Sequence, residues 1–184
     1  MADALPIPER MDADAFLRWA ERQPGRYELE DGRVVAQANE QSAHALLKFQ
    51  VHRQLFEAVA RAGAPCFVYP DGMNVRVDEA TIYCPDGRVR CGPRLPDDAL
   101  EVGDSAIVVE VVSSSSEVRD TVYKLDGYFR IPSLLHYLIL RTEAPTLIHH
   151  ARGEGNAILT RIVTRQAVRL DPPGIVLDDW WPGE

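Results

Sequence analysis

Seven consecutive residues near the middle of the chain, Ala106-Ile107-Val108-Val109-Glu110-Val111-Val112, constrain the fold more than any other stretch. β-Branched side chains favour extended backbone. A run apolar at odd and even positions alike predicts a strand covered on both faces. Glu110 interrupts that run. A carboxylate in such a strand is costly to bury unless it meets a partner, a ligand or an exposed edge, so structural and functional readings of Glu110 weigh about equally.

The rest of the chain supplies the layers such a strand needs. Apolar Ala15, Phe16, Trp19 and Ala20 predict a helix over Asp12 to Arg22, ended by Pro24-Gly25. Asp31-Gly32 between Tyr27-Glu28-Leu29-Glu30 and Arg33-Val34-Val35-Ala36 is a hairpin signal. Leu47, Val51, Leu55 and Val59 recur every four residues and predict a long helix from Ser42 to Ala62. Strands are expected at Cys66–Tyr69, Met73–Val77, Thr81–Asp86 and Ala106–Ser113, with Pro70-Asp71-Gly72 as the turn between the first two and Cys91 to Asp104 as a surface loop. A helix beginning at Glu117 carries Val118, Val122, Leu125 and Phe129 before Pro132. Strands at Leu134–Leu140, Thr146–His150 and Ala157–Thr164 and a Pro-rich tail to Trp180-Trp181 complete the order. That order implies an α/β fold, one mixed β-sheet flanked by helices.

Size and charge narrow the classes. With 184 residues, 46% of them hydrophobic, the chain suits one well-buried core, so a single domain over 1–184 is expected. No window approaches the roughly 18 apolar residues of a membrane span, and Met1 to Arg10 lacks a secretory pattern. A cytoplasmic protein without a membrane partner is therefore expected. Cys66, Cys84 and Cys91 match no zinc spacing and are read as reduced thiols. The net charge of −8 argues against a broadly basic nucleic-acid coat protein but leaves room for a local groove.

A second carboxylate, Asp86 in Tyr83-Cys84-Pro85-Asp86, lies at the end of an expected strand, although Pro-Asp-Gly is also ordinary turn chemistry. Two carboxylates converging from neighbouring strands suit Mg²⁺, which takes oxygen ligands and keeps several waters. Lys124 is either a surface partner of Asp120 or an ammonium at the edge of that cleft. Glu28 is either an exposed strand residue or a third acid near the metal, and His44 either a capping or packing residue or a group that contacts a phosphate or assists proton transfer. His149 and His150, adjacent on a strand, point to opposite faces and make no paired site. No GxxxxGK[ST] loop, GxSxG elbow, HExxH helix or GxGxxG turn is present.

In order and spacing, these segments resemble the family named "putative restriction endonuclease", formerly a domain of unknown function, within the PD-(D/E)xK superfamily. The landmarks are Tyr27-Glu28-Leu29 with Asp31-Gly32, His44, Pro85-Asp86, Val108-Val109-Glu110-Val111-Val112-Ser113, then Asp120, Lys124 and Tyr128. The resemblance implies a restriction-endonuclease-like core and a Mg²⁺ site, with Mn²⁺ as substitute, held by Asp86, Glu110 and the main-chain carbonyl of Val111. Val112 stands where the superfamily places its lysine, so that role maps to Lys124, with Glu28 as accessory acid. Gly87 follows Asp86 where the family continues an apolar strand. The expected function is a metal-dependent DNA endonuclease, with DNA as substrate and a homodimer as the assembly to consider. The rival expectation is a catalytically inactive nuclease-fold module for nucleic-acid binding or protein interaction, which the acidic charge and Gly87 favour.

Overall fold

The computed structural model describes residues 7, 9–113, 123–155 and 157–182. In chain order, α1 (Ala13–Ala20) leads into the hairpin β1 (Tyr27–Glu30) and β2 (Arg33–Ala36), then α2 (Ser42–Ala62). Strands β3 (Cys66–Pro70), β4 (Val75–Asp78), β5 (Thr81–Tyr83), β6 (Gly87–Cys91) and β7 (Ser105–Val112) follow. Beyond α3 (Lys124–Arg130) come β8 (His136–Arg141), β9 (Thr146–Arg152), β10 (Ile158–Thr164), β11 (Val168–Leu170) and β12 (Ile175–Leu177).

The β-branched run becomes β7, and all eight of its residues are buried. It lies inside a six-stranded mixed sheet of order β10-β9-β8-β7-β6-β3, parallel to β8 and antiparallel to β6. Strand alternation divides its side chains between two layers. Ile107, Val109 and Val111 join Leu47, Val51 and Leu55 of α2 and the tail residues Leu170, Leu177 and Trp180. Val108 and Val112 pack on the other side with Tyr128 of α3, Tyr137 and Ile139. Glu110 belongs to the second layer, facing α3. The double covering expected from the sequence is thus present, and it aims the carboxylate at one helix.

A separate four-stranded sheet, β2-β1-β5-β4, is covered by α1 through Phe16, Leu17 and Trp19 against Leu29 and Ile82. Asp12 caps that helix, its Oδ1 accepting the Ala15 N–H at 2.7 Å. Asp31 and Gly32 both take positive φ, 48° and 79°, as the two-residue hairpin turn requires.

Several expectations are corrected. The strand expected over Thr81–Asp86 ends at Tyr83, and Cys84-Pro85-Asp86 crosses from the four-stranded to the six-stranded sheet. The turn at Asp71-Gly72 likewise links strands of different sheets instead of closing a hairpin. Strand β6 was hidden by its arginines. Arg88 is fully buried there because its guanidinium donates to the carbonyls of Pro70, Met73 and Pro85. That strand sets Cys91 opposite Cys66, and the two form a disulfide, so the reading of three reduced thiols is overturned; Cys84 stays free and buried. The tail is a hairpin, β11–β12, not an irregular end. Glu117, Val118, Asp120, Val122 and Ser114–Ser116 lie outside the described residues. No described helix is long and apolar enough to cross a membrane.

Candidate active site

Four elements deliver acidic and basic groups to one place. Glu28 comes from β1, Asp86 from the span between the two sheets, Glu110 from β7 and Lys124 from the first position of α3. Lys124 Nζ lies 2.9 Å from Glu28 Oε1 and 2.9 Å from Glu110 Oε1. Glu28 Oε1 also accepts the Cys84 N–H at 2.8 Å, which ties β1 to the start of the span carrying Asp86. Tyr128, one helical turn after Lys124, donates its hydroxyl to Glu110 Oε1 at 2.7 Å. Burial and the neighbouring Glu110 push the Tyr128 phenol well above its usual range, so it remains a donor.

Asp86 is buried beside this trio. Its Oδ2 accepts the Val111 N–H at 2.8 Å, one residue past Glu110, and lies 3.2 Å from His44 Nε2. Lys48 Nζ stands 3.8 Å from Oδ1. Burial alone would raise the Asp86 carboxyl; the hydrogen bond and charge of His44, the Val111 N–H and Lys48 outweigh it and hold the group below the usual carboxylate range. Lys48 also bonds Glu40 and Asp71, at 2.5 and 2.8 Å, and Arg26 bonds the same two acids. Burial disfavours the Lys48 ammonium, but its bonds to Asp71 and Glu40 keep it above its ordinary range.

Gly87 has a steric reason. A Cβ there would stand 3.1 Å from both Cδ2 and Nε2 of the His52 ring. That ring reaches the Asp86 main-chain carbonyl from α2, which anchors the backbone under the carboxylate. The glycine that seemed a departure from a nuclease strand opens β6 and admits the histidine that holds Asp86.

Asp86, Glu110, Lys124, His44 and Val111 all line one cavity of about 400 Å³. Two buried carboxylates on one cavity, one pulled below its usual range, are the donor chemistry of a hard divalent cation. Glu40, His44 and Asp86 additionally bring a ligand atom each within 4.8 Å of one another. The residues present fit a divalent metal.

The family model described as "Uma2: Putative restriction endonuclease" matches residues 13–181. The chain belongs to this family. A Synechocystis relative, "Uncharacterized protein slr1290", is 23% identical over 174 residues, 94% of this chain and 90% of its own length. A solved structure, "a putative nuclease belonging to DUF820 from Anabaena variabilis", matches at TM-score 0.70 and 12% identity over 93% of this chain and 97% of that one. At that identity the likeness concerns the fold.

In this Uma2 chain, the residues picked out from the sequence converge. Glu28 is not an exposed strand residue, being fully buried, and Lys124 is likewise buried between two acids. His44 contacts Asp86 instead of capping α2. His149 and His150 have separate partners, His136 Nδ1 and Thr160 Oγ1, away from the cavity. Sequence reasoning missed Lys48, Glu40, Asp71 and Arg26. Lys48 carried a usable signal, since it follows His44 by four residues and so shares its helix face. Asp71 did not, because its Pro-Asp-Gly setting reads as a turn whether or not it also pairs with Lys48.

Proposed function

We propose that this chain is a divalent-metal-dependent endonuclease that hydrolyses DNA phosphodiester bonds. The observation that carries this is the shared cavity of Asp86, Glu110 and Lys124, with Asp86 bonded to the amide next after Glu110. Asp86, Glu110 and the Val111 carbonyl would hold Mg²⁺ or Mn²⁺. Bound there, the ion would supply charge neutralisation at the phosphate and a water of lowered pKa. The protein does the positioning. Tyr128 and Lys124 orient the Glu110 carboxylate, and Glu28 holds the Lys124 ammonium at the cavity wall. From that wall Lys124 faces the charge that develops on a scissile phosphate. His44 and Lys48 steady Asp86 from the α2 side.

The test is cleavage by purified protein. Plasmid or oligonucleotide DNA should be cut with Mg²⁺ or Mn²⁺ and left intact in chelator. Glu110→Gln keeps the shape, removes the charge and should abolish cutting while the far-UV spectrum is unchanged. Equal cutting by this variant would overturn the assignment. A second reading, a non-catalytic nucleic-acid-binding module, is favoured by one observation: Asp86 and Glu110 are already engaged by His44, Lys48, Lys124 and Tyr128. Binding of DNA by the parent without cleavage under any divalent metal would decide for it.

A further inference from the structure

Helix α2 is apolar on two opposite faces, and among the described residues only one of them is packed against the rest of the chain. Leu47, Val51 and Leu55 are buried against the six-stranded sheet. On the other side Leu46, Phe49 and Phe56 are 64, 67 and 69% exposed. With Arg53 between them and exposed Ala60 beyond, these residues fall at 46, 49, 53, 56 and 60, alternate steps of three and four. That spacing forms a straight seam for a second helix, the pattern that inserts side chains as knobs into holes. Two phenylalanine rings two-thirds in water on one helix face are not ordinary solvated surface.

We propose that this seam binds the same seam of a second copy, α2 against α2 in antiparallel orientation about a two-fold axis. The residue sequence is self-complementary in that arrangement. Pairing positions whose numbers sum to 102 sets Leu46 against the other copy's Phe56, Phe49 against Arg53, and Ser42 against Ala60. The three kinds of layer are thus large with large, ring with guanidinium and small with small. The middle one is a cation–π contact, and Arg53 can make it while its other nitrogens keep Glu57 and Asp179. Each helix start then lies beside the other's end, the favourable alignment of two helix dipoles. At about 200 Å² per ring, the four phenylalanines of the pair alone remove roughly 500 Å² from water. With both leucines, both arginine stems and the flanking residues, the pair approaches the ~1,200 Å² of a small specific interface. A parallel pairing would instead set Arg53 against Arg53, like charges face to face.

The experiment is sedimentation velocity on the full chain from micromolar to near-millimolar concentration. The parent should show twice the 20.6 kDa of one chain. Phe49→Glu combined with Phe56→Glu should halve that mass with unchanged circular dichroism, since neither ring is in the core. Ile162→Glu, on the exposed face of the edge strand β10, should leave the dimer intact. Leu46→Cys mixed with Phe56→Cys should yield an interchain disulfide on oxidation. A parent monomeric throughout, a dimer that survives the double glutamate variant, or a dimer broken by Ile162→Glu would overturn the proposal. So would cross-linking of Leu46→Cys with itself in place of the mixed product, which would mean parallel helices.

Discussion

Lys124 is held by carboxylates that belong to two different sheets, and its removal should be felt first as lost stability. Lys124→Met leaves Glu28 and Glu110 without their shared ammonium, and taking one partner from a buried ion pair costs about 3–5 kcal/mol. Urea denaturation followed by tryptophan fluorescence should show that loss, and Glu28→Gln added to Lys124→Met should recover part of it. No recovery would mean that Glu28 is satisfied without the lysine. Gly87→Ala probes the opposite wall. Its methyl group would meet the His52 ring at 3.1 Å, so either the ring or β6 must shift. An overpacked contact of this kind costs about 1–3 kcal/mol. Thermal melting should fall, and cleavage should fall with it because the His52 contact to the Asp86 carbonyl is disturbed. A wild-type melting curve would show that His52 moves freely and does not anchor Asp86.

Strands β8 and β9 carry a pH-sensitive pair far from the cavity. His136 Nε2 lies 2.9 Å from the Pro172 carbonyl, which can only accept, so Nδ1 is the ring's acceptor and takes the N–H of His149 Nε2 at 2.9 Å. Burial, then the nearby His136 and Arg161, lower the His149 pKa from its ordinary 6.5 to about 4. Between those values the unfolded chain binds a proton that the folded chain refuses. Stability contributed here is therefore complete above about 6.5 and declines as pH falls towards 4. Melting temperatures at stepped pH should trace that decline, and His149→Phe should make it shallower, the remainder belonging to His52, His136 and His150, which burial lowers as well. Elements of this kind divide by how plainly their sequence declares burial. The run of β7 and the four-residue period of α2 were legible because their apolar pattern is continuous. Strand β6 was not, because nothing in sequence marks a charged Arg88 for burial, which depends on the carbonyls of Pro70, Met73 and Pro85 that the fold gathers around its guanidinium. Strands β11 and β12 are three residues each and leave too short a trace to register.

Across the molecule, the same short tail closes one face of the core. Trp180 is almost fully buried in the layer of α2 and β7, with its Nε1–H on the Gln166 carbonyl at 2.8 Å. Trp180→Ala should cost about 3–5 kcal/mol, read as a lower urea midpoint; a loss under about 1 kcal/mol would mean that the tail docks only loosely. The candidate site was legible to the extent that each acid stood in a context that made it costly or conspicuous: Glu110 in an apolar strand, Asp86 after a proline. Beyond Lys124 and His44 its partners were not, since Lys48, Glu40 and Arg26 meet only when α2 crosses the span between the sheets. That span has a mechanical consequence. Glu28 rides on the four-stranded sheet and Glu110 on the six-stranded one, so the Lys124 ammonium acts as a latch pin between two plates. A ligand phosphate that draws the ammonium towards itself withdraws the pin. Val75 and Tyr83 still pack on Val108 and Val112, so occupying the cavity should loosen only the strand that carries Glu28, and amides of β1 should exchange faster with ligand bound than without it, the reverse of the usual tightening.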